Sequence, residues 1–264
     1  MTGSLLTTLG DELLDHPDAD GETVARSLNG IARANLWFGG WWAVRRGLEL
    51  VTRRLSLPRA ERGGGSAARL GDSAARRLSL PRAERGGGSA AALTLLDIGC
   101  GAGDLAARAV RWGRRREVTV IPIGLERHRA GGRLTYDRGI PSVIGCAGEL
   151  PFREKSVDII VASQLLHHFS ERAIVAFVRS ADRIARQGVV IADLRRSRWA
   201  HAAFQVGARL IALDTVTRVD GLTSIRRGFT RAELSRLLAA GGFQARVEHT
   251  PGFRLVAAWC PAGR

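Results

Sequence analysis

The stretch Leu93-Thr94-Leu95-Leu96-Asp97-Ile98-Gly99-Cys100-Gly101-Ala102-Gly103-Asp104 decides the fold. Its apolar run carries no charge before Asp97, which suits a strand buried on both faces of a parallel sheet. A loop with three glycines follows, and Leu105-Ala106-Ala107-Arg108-Ala109-Val110 then has helical spacing. Strand, glycine loop and helix open a nucleotide-binding βαβ unit. Glycines let the backbone turn sharply there and let a ligand lie against the main chain. The plainer alternative is a tight βα turn that binds nothing.

Further strands alternate with helical segments downstream. Residues 118–124 read as a second strand, in which Pro122 is a blemish because it donates no ladder hydrogen bond. Glu126 follows it, 29 residues after Asp97, and an acid at that strand tip can accept hydrogen bonds from ribose hydroxyls. Gly131-Gly132 is expected to interrupt the next helix. Residues 141–146 and 157–162 read as strands three and four, and residues 189–194 as strand five. A mostly apolar helix is expected over residues 200–213, and a turn at Asp220-Gly221. Thr230 and Glu233 form a capping box for a helix over 231–240, which Gly241-Gly242 stops. Residues 243–248 and 253–259 read as a closing hairpin around Pro251-Gly252.

The order D-x-G-x-G-x-G at residues 97–103, with Asp104 where a dinucleotide fingerprint has its last glycine, resembles motif I of the class I S-adenosylmethionine-dependent methyltransferases. The resemblance covers about residues 92–260 and is closest to the ubiquinone/menaquinone-biosynthesis type. It implies an α/β, Rossmann-like, doubly wound seven-stranded sheet with a closing antiparallel hairpin, preceded by an N-terminal helical segment. It also implies S-adenosyl-L-methionine as cofactor, held by Asp97, Gly99, Cys100, Gly101 and Gly103, with Glu126 on the ribose. Cys146-Ala147-Gly148-Glu149-Leu150-Pro151-Phe152 is similar to the family's G-D-A-x-x-L-P-F segment, whose aspartate holds the adenine amino group. Cys146 stands in the aspartate's place, a departure that leaves Ala147 and Gly148 to flank adenine through backbone groups.

Ser163-Gln164-Leu165-Leu166-His167-His168-Phe169 resembles the family run after strand four, whose carboxyl end faces the ligands of such a sheet. The resemblance places Ser163 against the cofactor. His167 or His168 can act as general base on a phenol or enol, or can simply pack beneath the next helix. Asp193, at the end of strand five, can orient a histidine, bind a substrate hydroxyl or start a helix. The resemblance implies that the helix after strand five roofs the acceptor pocket, where its apolar character suits a lipophilic acceptor; the plainer alternative is an ordinary core-facing helix.

The chain has 264 residues, 45% of them hydrophobic, which allows one α/β domain of roughly 200 residues plus an appended segment. Residues 1–52 read as a helical cap. Within it, residues 35–42 pack three tryptophans around two glycines, either as part of a lid or as an anchor on the core. Residues 53–68 recur unchanged at 76–91, and 53–91 reads as a duplicated flexible linker before a domain over 92–264. No apolar run approaches the roughly 18 residues of a membrane span, and no secretory leader is evident. Three cysteines without metal or disulfide spacing suit a reducing cytoplasm.

The net charge is +15, almost all of it from arginine, since Lys155 is the single lysine. Such charge attracts RNA, an anionic lipid surface or an acidic carrier, or it is a coding bias spread over a solvated face. Scattered arginines without an aromatic-interleaved stripe, and Ala162-Ser163-Gln164-Leu165 in place of the N/D-P-P-Y/F signature, disfavour nucleic acid. The leading expectation is O- or C-methylation of a small lipophilic, phenolic or polyketide-type acceptor without a metal. An RNA methyltransferase and a non-catalytic cofactor-binding protein are the rivals.

Overall fold

The computed structural model describes residues 12, 19–53 and 92–261. The expected duplicated linker therefore lies outside the described residues except for Arg53. So do residues 1–18 of the expected helical cap, except for Glu12, which stands in no regular element.

The strands are β1 (Ala92–Ile98), β2 (Thr119–Glu126), β3 (Ser142–Ile144), β4 (Val157–Ser163), β5 (Ala185–Leu194), β6 (Val247–Thr250) and β7 (Arg254–Trp259). They form one sheet in the order β3-β2-β1-β4-β5-β7-β6. β1 to β5 are parallel, and β7 runs antiparallel between β5 and β6. This is the doubly wound sheet with a closing antiparallel hairpin that the sequence leads one to expect. Strand order reverses beside β1, so a crevice opens at the carboxyl ends of β1 and β4.

The helices among the described residues are α1 (Gly21–Trp37), α2 (Gly40–Thr52), α3 (Asp104–Arg114), α4 (Arg129–Asp137), α5 (Glu171–Ile184), α6 (Arg198–Leu210), α7 (Thr215–Arg227) and α8 (Arg231–Ala240). All seven residues of β4 are buried, as a strand covered on both faces requires. Alternation divides the core. Leu96, Ile98, Ile160 and Ile191 pack against Ile174, Phe177, Leu234 and Leu238 of α5 and α8. Leu95, Ile159, Val161 and Val190 pack against Val44, Leu48, Leu105 and Trp112 of α2 and α3 on the other face. Each such leucine or isoleucine contributes about 1.5–3 kcal/mol by leaving water.

α2 is thus a layer of the sandwich. Its Gly47 lies so close to β5 that an added Cβ would stand 2.2 Å from Val190 Cγ1. Register between β1 and β4 is pinned by buried Asp158. Its Oδ2 accepts the Thr94 N–H at 2.9 Å and hydroxyl at 2.8 Å, while Arg186 and Gln187 donate to Oδ1.

Two expectations are corrected. Gly131-Gly132 does not interrupt a helix, because α4 runs through both. They are buried where helix and strand meet, and a Cβ on Gly132 would stand 2.4 Å from Ile144 Cδ1, so close packing overrides low helix propensity. Asp220-Gly221 is not a turn but lies inside α7, which Asp214 caps by accepting the Thr217 N–H at 2.9 Å. Gly221 is the hollow into which the Phe204 ring fits, 2.4 Å from where a Cβ would be. Pro122 does sit within β2. Its nitrogen lies on the same side as that of Gly124, which faces the β3 segment, but β3 pairs only from Gly124 onward, so no ladder bond is lost. The capping box at Thr230 and Glu233 is present.

Candidate active site

Three glycines make the turn out of β1. Gly99, Gly101 and Gly103 have φ of +71°, +54° and +73°, a region that side chains disfavour. Glu126, buried at the tip of β2, secures the loop. Its Oε2 accepts the Gly101 N–H at 2.8 Å, and its Oε1 accepts those of Arg127 and His128. Asp104 opens α3, where its charge complements the helix dipole.

A deep cavity stands over this loop. Its floor is the carboxyl ends of β1, β2 and β4, and α1 lies across one side with Leu28, Asn35 and the following Phe38. Asn35 donates to Asp104 at 3.5 Å and accepts from Gln164, tying α1 to the start of α3 and the end of β4. Ala200 and Phe204 of α6 and Ile225 of α7 form an apolar roof, joined by Leu194 and Phe253. Phe38 and Phe204 meet with ring centroids 5.1 Å apart.

Under that roof lies a chain of polar groups. Asp193 at the end of β5 is fully buried. Its Oδ1 is 2.7 Å from His167 Nδ1, and it accepts the Leu166 and Leu194 N–H groups at 2.9 and 2.7 Å. Burial pushes the Asp193 carboxyl up, but His167 and these amides outweigh it and hold the group below the usual carboxylate range. A carboxylate there makes Nδ1 the protonated nitrogen of His167 and leaves Nε2 as an acceptor. Nε2 is buried without a hydrogen-bond partner among the described residues. The His168 ring packs on His167 at 4.2 Å.

Residues 96–192 match the family model described as a methyltransferase domain. Residues 96–192 are thus similar to a methyltransferase domain. Over 161 residues it is 32% identical to a ubiquinone biosynthesis O-methyltransferase of Methylocella silvestris, covering 58% of this chain and 59% of that protein. Over 112 residues it is 31% identical to a demethylmenaquinone methyltransferase of Roseiflexus sp., covering 42% and 46%. The chain thus spans about half the length of the curated relatives it matches. A solved SAM-dependent methyltransferase from Aquifex aeolicus is 14% identical, with a TM-score of 0.46, covering 64% of this chain and 82% of that one.

S-adenosylmethionine carries a cationic sulfonium and an amino group, and three acids stand at or beneath the loop. Asp97, beneath the glycine turn, has its Oδ2 buried without a hydrogen-bond partner among the described residues. Burial, then the nearby Asp104 and Glu126, push its carboxyl up to about 8. Burial also raises Asp104. Three carboxyls gathered this closely suit a cationic ligand, so the residues present fit this cofactor.

Of the residues singled out in sequence, Gly99, Cys100, Gly101, Glu126, Cys146, Ala147, Ser163, His167 and His168 line the cavity. Asp97, Gly103, Gly148 and Asp193 do not line it. Cys146 is exposed, 3.4 Å from the Gly148 nitrogen, and Cys100 is a buried thiol that burial pushes upward. Residues 35–42 divide, since Asn35 and Phe38 face the cavity while Trp41 packs on the core and Trp37 and Trp42 are exposed.

Glu12, Gln164 and Arg254 also line the cavity, and the sequence reading gave them no role there. Arg254 is buried, and it donates to the Phe38 carbonyl at 2.8 Å. Burial lowers its guanidinium to about 10. An arginine between Phe253 and Leu255-Val256 at a strand start was the available signal. Glu12, His167 and His168 each bring a ligand atom within 4.8 Å of the others, a spacing that can hold a metal ion. Arg227 stands there instead, 3.1 Å from Glu12 and 3.3 Å from His168. It supplies the positive charge and makes the group an ion-paired network.

Proposed function

We propose that this protein methylates an oxygen or carbon of a small, lipophilic phenolic, quinol or polyketide-type acceptor. The observation that carries the reading is the pair Asp193–His167, set under an apolar roof and beside the glycine loop. When bound, S-adenosylmethionine supplies a methyl group made electrophilic by its sulfonium. In this reading the backbone of Gly99 and Gly101 admits the cofactor and Glu126 holds its ribose. Ala147 and Gly148 flank adenine, Ser163 borders the cofactor, and Asp104 faces its cationic groups with Asp97 buried behind the turn. Asp193 holds His167 with Nδ1 protonated, and Nε2 takes the proton of the acceptor's hydroxyl or enol. Phe38, Leu194, Phe204, Ile225 and Phe253 exclude water and align the acceptor, which is where most of the rate comes from in such a transfer.

Two curated relatives named as quinone-pathway methyltransferases support an aromatic acceptor. Cys146, in the place of the family's adenine-binding aspartate, favours a second reading in which the protein binds the cofactor without turnover. The test is a thermal-shift titration with S-adenosylmethionine, followed by turnover with phenols, quinols and carrier-bound ketides. A shift with methylated product supports transfer, and a shift without product from any acceptor supports binding alone. No shift sinks both.

A further inference from the structure

α6 has two apolar faces, and only one of them is used by the fold. Ala200, Phe204 and Ala208 point into the roof cluster. Trp199, Val206 and Leu210 are 66%, 60% and 81% exposed. At 100° per residue these three side chains fall within about 40° of each other around the helix, and Ala203 continues the stripe to the cavity wall. A tryptophan, a valine and a leucine in one exposed row are more than the scattered surface apolars of an ordinary domain. Trp37 and Leu36, at the end of α1, are also exposed. That end adjoins the same helix through Phe38, which meets Phe204 and the surface of Gly207.

Charge says what covers this stripe. Residues 195–213 hold Arg195, Arg196, Arg198 and Arg209 and no acidic residue. Arg198 lies over the Trp199 ring at 5.8 Å, and Arg209 is exposed and, among the described residues, bonds only its own helix. A second copy of the chain would bring the same arginines to this face, which like-charge repulsion opposes. A helix with arginines beside an exposed Trp/Val/Leu row matches an interfacial helix, whose apolar side enters the headgroup boundary while its cations meet anionic lipid.

We propose that α6 docks this protein on an anionic membrane surface, with Trp199, Val206 and Leu210 in the headgroup region and Arg198 and Arg209 on lipid phosphates. The cavity's apolar roof then faces the bilayer through Ala203. The proposal rests on this helix face alone and stands or falls apart from methyl transfer.

The test is co-sedimentation of the full chain with vesicles of equal parts phosphatidylglycerol and phosphatidylcholine, against pure phosphatidylcholine. The expected result is binding to the mixed vesicles only, weakened by high salt, with a blue shift of tryptophan emission that Trp199→Phe removes. Trp199→Ser/Val206→Ser/Leu210→Ser is expected to abolish binding. Arg198→Gln/Arg209→Gln is expected to weaken it about tenfold or more. Circular dichroism and the cofactor-induced thermal shift are expected to remain those of the parent for both variants. Vesicle binding that survives the triple substitution overturns the proposal, as does equal binding to pure phosphatidylcholine. A self-association that the triple substitution dissolves, or capture of RNA in preference to vesicles, assigns the face to another occupant and overturns it too.

Discussion

His167 Nδ1 and Asp193 Oδ1 lie 2.7 Å apart, with Asp193 completely buried and tied to two backbone amides. The carboxylate fixes both the ring's orientation and its tautomer. His167→Ala is expected to lower kcat about 10²–10⁴-fold with an acceptor that must lose a proton, while the cofactor Kd measured by calorimetry stays the same. Asp193→Asn is expected to lower kcat too. An unchanged kcat in both variants would remove proton abstraction from the mechanism.

The buried carboxyl of Asp97 makes a pH prediction. Its folded-state pKa is raised to about 8 by burial and by Asp104 and Glu126, so the fold favours its neutral form. That contribution is whole below about pH 4 and is lost as pH climbs toward about 8. The melting temperature is therefore expected to fall across that window, and Asp97→Asn to fall less steeply. Identical slopes for the two proteins would contradict the assignment.

Cys146 lines the cavity beside Ala147 and is exposed to it. A carboxylate there can accept from the adenine amino group, an interaction worth about 1.5–3 kcal/mol when one partner is charged. Cys146→Asp is expected to tighten S-adenosylmethionine binding by about tenfold or more in a calorimetric titration. No change, or weaker binding, would place adenine elsewhere.

Gly39, with φ of +77°, joins α1 to α2 and meets the turn between β6 and β7. A Cβ on it would stand 2.0 Å from the Pro251 carbonyl oxygen, and one on Gly252 would stand 2.4 Å from the Phe38 backbone. Gly39→Ala and Gly252→Ala are each expected to destabilise the fold by about 1–3 kcal/mol in denaturant titrations, and to weaken cofactor binding because Asn35 and Phe38 lose their placement. Parent-like stability in both would mean that the junction is loose.

The sheet was legible because its strands obey a simple pattern. Buried runs such as residues 157–162 carry no competing signal, and the glycine loop and capping box are local devices. What escaped the sequence was set by tertiary contacts. Gly131, Gly132 and Gly221 read as breakers, but each is the hollow that receives a neighbour's side chain. Gln164 and Arg254 come from two distant stretches and share no spacing. The histidine pair was visible at the end of β4, but its partner Asp193 was only one of several readings until β5 set it beneath His167. Arg227, which holds Glu12 and His168, carried no mark that separates it from the other arginines.

The α1–α2 junction, clasped by the Pro251-Gly252 turn, joins the first described helices to the last hairpin. Residues far apart in the chain, Asn35 and Phe38 beside the α1–α2 junction and Phe253 and Arg254 beside the hairpin turn, therefore wall a single chamber. During synthesis the glycine loop emerges early, yet the chamber closes only after the final strand has cleared the ribosome. A nascent chain cannot hold its ligands, and removing the six residues of β7 would leave the loop intact but open to water.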